Sequence, residues 1–224
     1  LKGCQPVKDV AVLHSGEAIW SRTPYDPIPG WRPGPAYQPI VGAHKTLTEG
    51  HVQMSIVNSQ TFCESLGEYR AAVLANQRIL DEKHCETIRR FVEQGGVIFA
   101  THETGTRDTD NQILPDFALA DLFGIRRRGT METSYSYLRK PANDAGIPTV
   151  DVQTKGGYTQ FETTSAKLLL ELVPPFEGIR TGTPPPAVDP EGPGVTINSF
   201  GKGKAIYCCS DIFEAYAWEN TAIL

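Results

Sequence analysis

Residues 69–108 read YRAAVLAN (69–76), QRILDEKHCETIRRFVEQGG (77–96) and VIFATHETGTRD (97–108). Two short apolar runs, at 71–74 and 97–100, flank a segment in which Cys85, Ile88, Phe91 and Val92 recur at three- and four-residue steps. That spacing predicts an amphipathic helix between two buried strands. Asp81 stands where an N-cap is expected. Glu82 near the start and Arg89-Arg90 later agree with the helix dipole, and Gly95-Gly96 suits a left-handed stop. Strands joined through a helix run parallel, and parallel strands need helical crossovers. This stretch therefore sets the class as α/β. Its strands end in polar residues, Asn76-Gln77 and Thr101-His102-Glu103, and neither end is a Gly-x-Ser-x-Gly or Gly-x-Cys-x-Gly elbow.

The same alternation extends outward. Residues 10–13 form a short apolar run ending in His14-Ser15-Gly16-Glu17, read as a first strand entering a polar loop. Residues 20–39 carry prolines at 24, 27, 29, 33, 35 and 39, which exclude a regular helix or a central strand. A helix is predicted at 40–49 with its stop at Gly50, a strand at 52–57, one helical turn at 61–66, and a helix at 116–123 closed by Gly124. The N-terminal half thus reads as a doubly wound, mostly parallel, flavodoxin-like sheet with helices on both faces.

Beyond Gly124 the character changes. Strands are predicted at 133–139, 149–152 and 167–172, the last broken by Pro174-Pro175. Residues 178–194 are rich in Pro and Gly and read as loop. Residues 194–200 and 204–208 flank Gly201-Lys202-Gly203 as a β-hairpin, and a helix follows at 213–216. These are expected to be extra strands on the same sheet, so that 1–224 forms one domain with long loops at 20–39 and 178–194.

Composition excludes several function classes. The formal charge of −5 in 224 residues argues against nucleic acid, whose phosphates need a basic face. The basic run Arg126-Arg127-Arg128 reads as a solvated strand edge or turn. Five cysteines, without zinc or Cys-x-x-Cys spacing, make neither a disulfide framework nor a metal site; Cys85 lies on the apolar stripe and reads as a core thiol. No cofactor or metal is expected. No run approaches membrane length, and no membrane partner is expected. The chain begins at Leu1, not Met, and ends at Leu224 as a helix begins, so the expectation is a piece of a longer protein whose compartment is set elsewhere.

In an open α/β sheet, ligands lie beyond the carboxyl ends of the strands. The candidate crevice is His14, Ser15 and Glu17 after the first strand, Asn76 and Gln77 after the third, Thr101, His102 and Glu103 after the fourth, and Asp211 after the hairpin. Two histidines with carboxylates suit acid–base chemistry or a ligand; residues of these types also satisfy loop backbone and helix N-termini. No Gly-x-Gly-x-x-Gly or Walker pattern is present, and Gly201-Lys202-Gly203-Lys204 joins two strands and opens no helix. Trp20, Tyr25, Trp31 and Tyr37 form a candidate interface, with packing onto the domain's own core as the other reading.

LDEKHCETIRRFVEQGGVIFATHETGTRD (80–108), LPDFALADLFGI (114–125) and NSFGKGKAIYCCSDIFEAY (198–216), in that order, resemble the glutamine-amidotransferase-like domain of certain glycoside hydrolases, and most nearly the trimerisation domain of the family 42 β-galactosidases. The resemblance runs from Val10 to Tyr216. It implies a class I amidotransferase fold without its catalytic cysteine, the corresponding strand end here being Thr101-His102. It also implies that sugar chemistry belongs to a (β/α)8 barrel absent from this chain, so no catalytic residue carries over. The function expected is a non-catalytic accessory or oligomerisation domain, with a barrel of the same polypeptide or identical subunits as partners. Two rivals are a stand-alone hydrolase using His14, His102 and Glu103, and a carbohydrate-binding module using the aromatic loop.

Overall fold

β1 (Val10–His14), α1 (Gly16–Trp20), α2 (Gln38–Glu49), β2 (Met54–Asn58), α3 (Ser59–Ser65), β3 (Ala71–Leu74), α4 (Glu82–Glu93) and β4 (Val97–Thr101) follow one another with short 3-10 turns at Pro35–Tyr37 and Leu66–Glu68. Then come α5 (Ala120–Phe123), β5 (Ile125–Met131), β6 (Tyr135–Arg139), β7 (Val152–Lys155), β8 (Tyr158–Thr163), β9 (Lys167–Val173), β10 (Gly192–Phe200), β11 (Gly203–Cys208) and α6 (Ile212–Glu219). The structure is a computed structural model and describes residues 3, 7–21, 35–141, 151–176 and 184–219.

Nine strands form one mixed sheet in the order β2-β1-β3-β4-β11-β10-β9-β6-β7. From β2 to β11 every neighbouring pair is parallel. From β11 onward every pair is antiparallel. The strand at the seam, β11, is parallel to β4 on one side and antiparallel to β10 on the other.

Side chains alternate across a strand, and β1 divides the core accordingly. Ala11 and Leu13 face Phe62 of α3 and Ile88 and Val92 of α4. Val10 and Val12 face the opposite way, toward Ile19, Ile40, Ala43 and Phe213 of α1, α2 and α6. Helices therefore cover the parallel half on each face. The α4 stripe is buried as its spacing predicts, and each such side chain contributes about 1.5–3 kcal/mol by leaving water. Asp81 caps α4 by accepting from His84 N at 2.8 Å. After Gln94 the backbone turns left-handed at Gly95, φ 119°. A Cβ on Gly96 would lie 2.3 Å from the Phe91 ring, so the double glycine serves both the turn and the packing.

Several sequence expectations shift. The helix expected at 116–123 is only Ala120–Phe123, because the preceding backbone is engaged elsewhere: Ala118 N donates to Gly105 O at 2.7 Å, and Asp116 Oδ1 accepts from both Phe117 N and Arg127 N. Gly50 caps α2 with φ −74°, and the left-handed residue is His51, φ 55°. The second strand starts at Met54, since Val52 N turns back to Leu47 O. The turn expected at 61–66 is α3 followed by the 3-10 turn. The strand placed at 149–152 is found at Val152–Lys155, and residues 142–150 lie outside the described ones.

The strands expected in the C-terminal half all join the main sheet as β6, β7, β9, β10 and β11. Two strands that were not expected, β5 and β8, pair with each other as a separate two-stranded antiparallel sheet, with an irregularity between Arg127 and Gly129. An aromatic cluster fastens β8 to the main sheet. The Tyr207 ring of β11 lies 5.0, 5.3 and 5.1 Å from those of Phe117, Phe123 and Phe161. The Arg126–Arg128 run is on the edge strand β5, where Arg126 and Arg128 both reach Glu162.

Candidate functional site

The ends of β1, β3, β4 and β11 do converge, and their polar groups are mostly spent on one another. Ser15 is buried and caps α1, accepting from Ala18 N at 3.1 Å. Its own N–H donates to Gln77 Oε1, tying β1 to the end of β3. Asn76, with φ 49°, donates its backbone N–H to Thr101 Oγ1 at 3.0 Å and its side-chain amide to Asp211 Oδ2 at 2.7 Å. Asp211 in turn accepts from Glu214 N at the start of α6. Thr104 Oγ1 accepts from Gln77 N and lies 3.0 and 2.7 Å from the carbonyls of Leu74 and Thr101.

The elbow after β4 keeps an unusual backbone. His102 has φ 49°, a left-handed conformation at a non-glycine residue. Its N–H donates to Cys208 O at 2.8 Å, and Tyr207 donates its hydroxyl to the His102 carbonyl. The buried ring places Nδ1 3.2 Å from the Cys209 carbonyl and 3.3 Å from Thr159 Oγ1. A carbonyl only accepts, so the ring proton sits on Nδ1. Glu103 is held by Arg78 at 2.5 Å. His14 stacks on Tyr37 with ring centroids 6.2 Å apart. The contacts of His14, His102 and Glu103 thus direct the three side chains to different partners.

Glu17 is exposed at the mouth and accepts from Ser15 Oγ at 2.9 Å and Ser59 Oγ at 3.4 Å. Its backbone N–H, then the Ser15 hydroxyl, hold its carboxyl below the usual range, with His84 adding to the effect. Beside it, Asp81 binds the His84 ring through Nδ1 at 2.7 Å, and His84 Nε2 is buried without a hydrogen-bond partner among the described residues. Of the aromatic candidates, Trp20 is 71% exposed and Tyr37 41%. Tyr25 and Trp31 lie outside the described residues. Among the described residues, no group of three His, Cys, Asp or Glu side chains is placed to hold a metal ion, and no helix is long and apolar enough to cross a membrane.

Thr159 and Tyr207, which fix the elbow, were not among the sequence candidates. Thr159 comes from β8, 57 residues away, and nothing local marks it. The Asp81–His84 pair was half legible: Asp81 as a cap predicts a bond to the third residue after it, but not the ring contact.

Residues 8–220 match the family described as the β-galactosidase trimerisation domain. The chain belongs to that family. Solved structures share its fold. The β-galactosidase of Bacillus circulans sp. alkalophilus superposes with a TM-score of 0.70 at 18% identity, covering 95% of this chain and 30% of that one. The cold-adapted β-galactosidase of Rahnella sp. R3 gives 0.71 at 19%, covering 97% and 32%. An α-L-fucosidase isoenzyme 2 from Paenibacillus thiaminolyticus gives 0.71 at 21%, covering 97% and 31%. The chain therefore spans about a third of the length of these structures. No curated protein sequence matches it.

Proposed function

We propose that this trimerisation domain is a non-catalytic accessory part of a larger glycoside hydrolase, holding identical subunits together and contacting a catalytic barrel of the same polypeptide. The match to the trimerisation-domain family over residues 8–220 carries this reading. The elbow supports it: a nucleophile must be free to attack, and the position after β4 holds instead a histidine whose backbone and ring are fixed by β8 and β11. The finer fold reading is a flavodoxin-like, doubly wound, amidotransferase-like single domain over 1–224. The parallel order β2-β1-β3-β4-β11, with helices on each face, supports it. The exposed Trp20 and Tyr37 support the 20–39 loop as a contacting surface, since Trp and Tyr are enriched at interface cores.

The test is the mass in solution of the full natural polypeptide. A trimer whose glycosidase turnover is unchanged by His102→Ala fits the proposal. A monomer at all concentrations, or turnover lost in a folded His102→Ala variant, rejects it.

A further inference from the structure

We draw no further inference here: the strongest candidate, the outer edge of the main sheet at β2, where an uncharged strand pairs only with β1 among the described residues and leaves Ile56 46% exposed, carries none because nothing in the structure shows what covers it.

Discussion

Thr104 shows how the strand-end polar residues are used. Its hydroxyl accepts a hydrogen bond from Gln77 N and lies beside two carbonyls, so one side chain closes the turns after β3 and β4 together. Thr104 is fully buried, and Thr104→Val would leave the Gln77 N–H without that acceptor. The expected loss is about 2 kcal/mol, read from the midpoint of urea unfolding. Cys85 gives a pH dependence. Burial pushes its thiol from 9.0 up to about 11. A raised folded value means that the stabilisation is whole below pH 9 and is lost as pH rises toward 11. Cys208, raised by its hydrogen bond to Cys209 and by burial, adds to the same alkaline loss. Cys85→Ala should therefore flatten the fall of stability above pH 9 by about 2 kcal/mol relative to wild type, measured by denaturation at pH 8 and pH 10.5.

At the level of elements, α2 and α6 meet closely at a glycine. A Cβ on Gly42 would lie 1.8 Å from the carbonyl oxygen of Phe213, which is backbone and cannot turn aside. Gly42→Ala should cost about 3 kcal/mol by forcing the helices apart, and hydrogen exchange should report α6 loosened before the sheet. The parallel half was largely readable from residues alone. Short apolar runs ending in Asn76, His102 and Ser15, with a stripe from Cys85 to Val92, give strands, crossovers and the edge where they end. The antiparallel half was less readable for a physical reason. Alternation marks a strand and its faces but not its neighbour. The stretches that became β5 and β8 look no different from those that became β9 and β10. What separates them is Phe161 packing on Tyr207, a contact made across 46 residues of chain and decided by volume rather than pattern. The same holds in the candidate crevice: the residue types were visible, but that Asn76 would meet Asp211 and His102 would meet Thr159 depended on the completed sheet.

For the whole molecule, the fold joins a parallel half-sheet to an antiparallel extension, and the two halves differ in what their polar edges offer. The strand ends of the parallel half are closed inward by caps and short bonds. In the antiparallel half the exposed Glu191 carboxylate is held by two neutral donors, Tyr158 and Gln160. A domain whose family description is association rather than catalysis is consistent with that division. The seam between the halves has a consequence in time. β11 pairs with β4 from Val97 to Thr101, a ladder spanning more than a hundred residues. A chain emerging from the ribosome completes β1 to β4 long before residues 203–208 exist, and during that interval β4 is an unprotected edge of an apolar sheet. A polypeptide ended before Gly203 should therefore precipitate or be held by chaperones, with its parallel half already formed, as sedimentation and limited proteolysis would show. Contacts this distant also slow folding. Of the sheet's described strands, the one synthesised last is the one that covers this edge.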